Sequence, residues 1–361
     1  EGLATSHNNL GILLAQTNRQ PDAERAFRTA LRLQEELVAE FPSQPEYRRH
    51  LATSHTNLGN LLRATRRLPE AEENHRKAIK LLEKLVAEFP NQPDYRQDLA
   101  GSHNNLGVLL RDNGRPPEAE AAYRAALKLY EQLAAAFPTR PDYRQDLAGS
   151  HLNLGLLLRD NGRPPEAEAA YRAALKLFEQ LAADFPSQSD LRNDLAGTLG
   201  NLAILCNQRR DFAAAREYLE KARPHHQAAL KANPRHPTYR QFYRNNLRAL
   251  VQAHAGLLDQ AAAVQTAQTR RDLGWDPPAD AYNAACALAL CIPIVEQHEK
   301  LDADKRKAAV QFYGDEAMKL LRDAVGKGWK GAAHMQKDRA LDPLRQREDF
   351  QELLRELTRS P

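Results

Sequence analysis

Apolar residues in this chain recur on two scales. Over a turn or two they fall three and four apart, the spacing of one face of an α-helix. Over longer stretches the whole pattern returns every 48 residues. Leu10-Gly11, Leu58-Gly59, Leu106-Gly107 and Leu154-Gly155 keep that step, as do Ala23, Ala71, Ala119, Ala167 and Ala215. Polar positions keep it too: Asn9, Asn57, Asn105, Asn153 and Asn201. A fixed period of this size marks a solenoid, in which each unit buries its apolar face against its neighbours.

Residues 93–138 show what one period encodes. Pro93 suits a first helical turn, where a missing N–H costs nothing. Leu99, His103, Leu106 and Leu110 follow at helical spacing. Asp112-Asn113-Gly114 stops that helix, with Gly114 able to take the left-handed conformation. Pro116-Pro117 opens a second helix with Ala119, Tyr123, Ala126, Leu127 and Leu133 on its inner face, and Phe137-Pro138 ends it. The unit is an antiparallel hairpin of two helices of roughly 16 to 22 residues. Residues 141–186 repeat it with four changes: Asn104 to Leu152, Val108 to Leu156, Tyr130 to Phe178 and Ala136 to Asp184. That is a recent duplication. The expected fold is all-α, a right-handed α-solenoid of stacked antiparallel helical hairpins, with five regular units over residues 1–232.

From Asn233 the 48-residue rhythm is expected to fail, punctuated by Pro234, Pro237, Pro277, Pro278 and Pro293. The expectation for 233–361 is two divergent units and a helical cap. Gly256 and Ala261 mark the first unit, and Ala317, Leu321 and Ala324 the second. Phe350, Leu353, Leu354 and Leu357 make an amphipathic closing helix over about Arg345 to Leu357, whose polar face suits the end of an array.

The Leu-Gly pair in the first helix and Ala119, Tyr123 and Ala126 in the second resemble the tetratricopeptide repeat. The resemblance covers about residues 3–230. His7, His55, His103 and His151 stand where the family usually has an aromatic. Glu35, Glu83, Glu131 and Glu179 stand where it usually has a helix-ending Pro, so the second helix runs on and the period exceeds the usual ~34 residues. Long units with paired Asn, as in Asn8-Asn9-Leu10 and Asn104-Asn105-Leu106, are similar to the cargo-binding repeats of kinesin light chains. The joints Phe41–Ala52, Phe89–Ala100 and Phe137–Ala148, with Tyr282-Asn283-Ala284-Ala285-Cys286 and Leu341-Asp342-Pro343-Leu344-Arg345, resemble the C-terminal repeat region of large bacterial serine/threonine protein kinases. The kinase Gly-rich loop, His-Arg-Asp and Asp-Phe-Gly are absent from this sequence, so that resemblance implies a non-catalytic accessory region.

Counting about 100° per residue from Gly107 separates two faces of the first helix. Leu106, His103 and Leu110 share the face of Gly107. Asn105, Val108, Asn104, Arg111 and Asp112 point away from it, on the stripe that lines the concave groove in the family. Three features there are candidate peptide-binding positions. The Asn ladder (Asn9, Asn57, Asn105, Asn153, Asn201), with Asn104, offers amides that both donate and accept and could grip a peptide backbone. The alternative is that each Asn ties adjacent first helices together. Arg63, Arg111 and Arg159 suit a carboxylate or phosphate, or else pair with Asp112 and Asp160 as surface salt bridges. Leu152, Leu156 and Ile204 form an apolar patch that could anchor a ligand side chain.

Other chemistry finds no support. Four histidines at a fixed step cannot converge on one ion when neighbouring helices lie about 8–10 Å apart. They are expected to be core residues bonded across the hairpin, and His225, His226 and His236 to be surface residues. The spacing of Gly326 to Gly331 is not that of a phosphate loop, and His298-Glu299 lacks the second His of a zinc protease. No enzyme, cofactor or metal is expected. The three cysteines, Cys206, Cys286 and Cys291, read as small apolar fillers. A net charge of +4 over 361 residues is weak support for nucleic acid, and no uninterrupted run of 18 apolar residues suggests membrane insertion. The expected partner is a protein or peptide, acidic or with an apolar anchor, or the chain's own upstream kinase domain; the alternative is self-assembly. The chain opens at Glu1 within a helical pattern and reads as a fragment. The cytoplasm is the expected compartment, unless a membrane segment upstream of Glu1 places it outside.

Overall fold

A computed structural model describes residues 1–359, and among them there are helices and turns but no strands. The chain divides into two compact bodies, Glu1–Leu181 and Ala182–Pro361. The first holds α1 (Gly2–Gln16), α2 (Gln20–Glu40), α3 (Pro45–Ala64), α4 (Leu68–Glu88), α5 (Pro93–Asp112), α6 (Pro116–Ala136), α7 (Pro141–Asp160) and most of α8 (Pro164–Asp184). In this body α1 packs on α2, α3 on α4 and α5 on α6, and second helices pack on the next first helix (α2 on α3, α4 on α5, α6 on α7). First helices also touch first helices one unit on (α1 with α3, α3 with α5, α5 with α7), which makes the first-helix layer the inner wall.

The Leu-Gly signature has a steric cause. A Cβ on Gly107 would sit 2.6 Å from the Tyr123 ring, and one on Gly155 2.5 Å from Tyr171. Gly11 faces Phe27 and Gly59 faces His75 in the same way. The first helix lacks a side chain where the second inserts a ring, so the hairpin closes tightly. The joints also have a mechanism. Phe41 meets Tyr47, Phe89 meets Tyr95 and Phe137 meets Tyr143 at ring-centroid distances of 5.9, 5.9 and 5.8 Å. Each second helix is thus pinned to the following first helix.

The second body holds α9 (Ser189–Gln208), α10 (Phe212–Ala232), α11 (Pro237–Gly256), α12 (Gln260–Arg271), α13 (Pro277–Ala289), α14 (Ile292–Glu296), α15 (Ala303–Gly326), α16 (Ala332–Lys337) and α17 (Glu348–Arg359), with a 3₁₀ turn at Arg339–Leu344. Here the sequence reading needs correcting. The step persists one hairpin beyond Asn233: α11 and α12 start 48 residues after α9 and α10. Gly256 and Ala261 are not the register markers. Val251 and Ala263 are, both fully buried. The Gly–aromatic pair becomes Ala203 with Leu219, then Val251 with Ala267, all fully buried. As the first-helix residue grows, the second-helix residue shrinks, and volume is conserved while the sequence signature disappears.

The segment Pro277–Glu296 is long and apolar enough to cross a membrane by length and composition, with 67% of it buried. It forms two helices, α13 and α14, in the core beneath α15. Tyr282 stacks on Trp329 at 4.2 Å and its Oη donates to Asp338 Oδ2 at 2.8 Å, while Asp338 caps the 3₁₀ turn carrying Leu341 and Leu344. The Tyr282–Cys286 and Leu341–Arg345 motifs are therefore packing partners. All three cysteines are buried, as expected of apolar fillers.

Candidate functional site

The Asn ladder splits into two classes. Asn57 Nδ2 donates to Asn8 Oδ1 at 3.1 Å, and Asn153 Nδ2 donates to Asn104 Oδ1 at 3.1 Å. These amides brace adjacent first helices. Asn9, Asn105 and Asn201 have no side-chain hydrogen bond among the described residues. The cause lies one residue earlier in each preceding unit. Asn8 and Asn104 present a carbonyl to the next hairpin. The same position is Thr56 in the second unit, where it bonds Ser102 Oγ at 3.3 Å, and Leu152 in the fourth. Braced and free amides consequently alternate.

The arginine set is engaged. Arg63 Nη1 meets Asp112 Oδ2 at 2.7 Å, Arg111 reaches the other oxygen of Asp112 at 3.3 Å, and Arg159 pairs with Asp160 at 2.8 Å. Leu152 and Leu156 are half-buried on α7 in the first body. Ile204 is half-buried on α9 in the second.

Hollows open on the inner wall of each body. One in the second body has a volume of about 80 Å³ and lies between α9 and α11 above α10. Asn201 and Ile204 line it with Gly200, Phe242, Asn246 and His226. Gly200 stands where earlier units carry Asn104 and Leu152, and a Cβ there would meet nothing within 4 Å. His226 is buried rather than at the surface, which corrects the sequence reading. Its Nδ1 and the Oδ1 of Asn246 have no partner, and desolvation pushes its pKa down to about 4. One in the first body measures about 360 Å³, and Asn105, Gly101, Asp98, Asp146 and Tyr130 line it.

Asp98, Asp146 and Asp194 were missed from sequence. Each lies seven residues before a ladder Asn, hence on the same stripe. Burial raises the pKa of all three carboxyls, that of Asp194 to about 6. Of the histidine ladder, His55 is buried and its Nδ1 lies 2.9 Å from Asn74 Oδ1 across the hairpin, as expected. His7, His103 and His151 are half-buried.

Family models of the tetratricopeptide repeat match residues 3–43, 51–94, 104–182 and 146–228, together more than half of the chain. The chain is a tetratricopeptide repeat protein. Such repeats are generally protein–protein interaction scaffolds. Among solved structures, BtubC (BKLC) from P. vanneervenii is 21% identical, with a TM-score of 0.52 over 69% of this chain and 90% of that one. The apo form of RapI is 14% identical, with a TM-score of 0.53 over 90% of this chain and 98% of that one. At these identities the likeness is one of fold. No curated protein matches the sequence. In the tetratricopeptide hairpin the second-helix aromatic fills the gap over Gly, and His75 takes that position here, fully buried with neither ring nitrogen bonded.

Proposed function

We propose that this repeat array is a scaffold, the inner wall of each body holding an extended peptide segment of a partner protein. The free amides offered to a peptide backbone are Asn105 in the first body and Asn201 in the second. The alternation of braced and free amides carries this reading, because these two keep both donor and acceptor open on the wall. The test is peptide display on the whole chain, followed by affinity measurement on variants. Asn105→Ala and Asn201→Ala are each expected to weaken a selected peptide by about fivefold with little change in melting temperature, at about 1 kcal/mol for the hydrogen bond lost. Unchanged affinity in both would remove the amides from the account.

The Phe-Pro-Tyr joints and the Tyr282 and Leu341 motifs support a narrower reading, that the array is the non-catalytic arm of a bacterial serine/threonine kinase; the upstream reading frame tests it. We place the array in the cytoplasm, a reducing compartment in which three buried cysteines without a disulfide are at home.

A second reading, self-association, draws on α1. Leu3, Leu10 and Leu13 are 62, 44 and 57% exposed, whereas Leu51, Leu58 and Leu61 at the same positions one unit on are 6, 1 and 5% exposed. This end face is an open copy of an internal interface, which fits a further hairpin of the same array or, on this reading, a second copy of this chain. Sedimentation across concentration, with and without Leu10→Lys and Leu13→Lys, checks it. A monomer at all concentrations would exclude it.

A further inference from the structure

Below the inner wall a second-helix residue reaches the space between neighbouring first helices, Tyr130 in the first body and His226 in the second. The 48-residue step puts Gln34, Leu82, Tyr130, Phe178 and His226 at one register, all buried. A floor with only a packing role would repeat an apolar residue, and this one changes chemistry at every unit. Tyr130 is only 5% exposed, yet its Oη has no hydrogen-bond partner among the described residues. It lines the 360 Å³ hollow between α3, α5 and α7, and a Cβ on Gly101 in the hollow's wall would sit 3.5 Å from that oxygen.

Two carboxylates flank the opening. Asp98 pairs with Arg49 Nε at 2.6 Å. Asp146 accepts Gln97 Nε2 at 2.8 Å and, among the described residues, meets no cation. Arg49 is also the nearest cation for Glu46 and Asp94, at 3.7 Å each. One guanidinium therefore serves three carboxylates, and Asp146 stays uncompensated beside an unpartnered phenol. Burial disfavours its charge, which an incoming cation would restore. Asp142, further along α7, is already held by Arg140.

We infer that this hollow seats the cationic end of a lysine or arginine side chain of the partner peptide, laid across Gly101 with its charge between Asp146 and Tyr130 Oη. Gly101 leaves room for the aliphatic stem, Asn105 lies beside it for the peptide backbone, and Thr53 and Thr56 line the far side. The inference rests on the groove reading above and fixes the class of residue read at one place in it.

The test uses the whole ¹⁵N-labelled chain and four capped tripeptides, Ac-Gly-X-Gly-NH₂, with X as lysine, arginine, norleucine or glutamate. The lysine or arginine peptide is expected to shift the Gly101 and Asn105 amide resonances saturably, with norleucine and glutamate at least about tenfold weaker. Asp146→Asn is expected to weaken the cationic peptide about tenfold. Tyr130→Phe, the change the duplicated unit already carries at Phe178, is expected to weaken it about threefold without lowering the melting temperature. Equal binding of norleucine, undiminished binding by Asp146→Asn, or no saturable shift with either cation would overturn the assignment. Display-selected peptides that need Asn105 but carry no basic residue would sink this inference and leave the groove reading standing. Selected peptides that need Asp146 but are indifferent to Asn105 and Asn201 would remove the amides and leave the cation seat standing.

Discussion

Gly107 and Tyr123 show how far a single residue pair decides the packing of a hairpin. A methyl on Gly107 would collide with the ring at 2.6 Å, and that ring is fully buried. Gly107→Ala is expected to cost about 1–3 kcal/mol in chemical denaturation. Tyr123→Leu in the same chain should recover most of it, because Ala203 with Leu219 already occupies this position one body on. Additive losses in the double variant would contradict the volume-exchange explanation. His75 is the odd member of the set. Desolvation first, and the Arg63 charge second, push its pKa down to about 4. Above pH ~6.5 it is neutral in both states; as pH falls towards 4, the unfolded chain takes a proton that the fold refuses, so stability is lost across that window. The loss from this residue approaches about 3 kcal/mol near pH 4. His75→Tyr is expected to match the parent at pH 7.5 and to exceed it at pH 4.5, and parallel pH profiles would contradict this. The raised carboxyls, Asp98 and Asp146, oppose the trend equally in both proteins. At this scale the Gly and Ala signatures were legible because each has one steric meaning. The floor residues and the aspartates were not, because their meaning depends on what lies across a gap.

Each hairpin is turned by a single left-handed residue. Asn18, Arg66, Gly114, Gly162, Arg210 and Leu258 occupy that place, with φ between 60 and 71°. The step is kept through six hairpins even where the residue type is unfavourable. Glycine takes this conformation without a Cβ penalty, whereas arginine at 66, exposed and without a bond to another residue's side chain, does not. Arg66→Gly is expected to stabilise by about 1 kcal/mol, after the extra backbone entropy of glycine in the unfolded chain is subtracted. A destabilised variant would mean that the Arg66 side chain makes a compensating contact. The helices and their ends were legible from Pro, Gly and the Phe-Pro joint, all local signals. The sixth hairpin was legible as a divergent unit but its register was not, since Val251 with Ala267 carries the same volume without the Gly–aromatic mark, and α12 stops at Arg271, well short of the regular length. His226 was misplaced for a related reason. Its position at the foot of a second helix looks like a loop flank in sequence, and only the register with Tyr130 reveals a buried floor.

Across the molecule, stability is spread over repeating joints. Arg67, Arg115 and Arg163 each bridge two carboxylates: Glu24 and Glu70, Glu72 and Glu118, Glu120 and Glu166. Each ties one hairpin to the preceding one at the surface, and as solvent-exposed pairs they contribute modestly. With structure held by such repeated contacts, the inner wall is free to vary in chemistry from unit to unit, and that variation is where the array differs from a uniform rod. The most direct measurement is of the asparagine side-chain amides themselves. A display-selected peptide is titrated into the full chain with ¹⁵N-labelled asparagine side chains. The account predicts that the NH₂ resonances of Asn105 and Asn201 shift and saturate with the peptide, while those of Asn113 and Asn161, exposed in the hairpin turns, stay in place. Saturable binding that leaves Asn105 and Asn201 unmoved would contradict it.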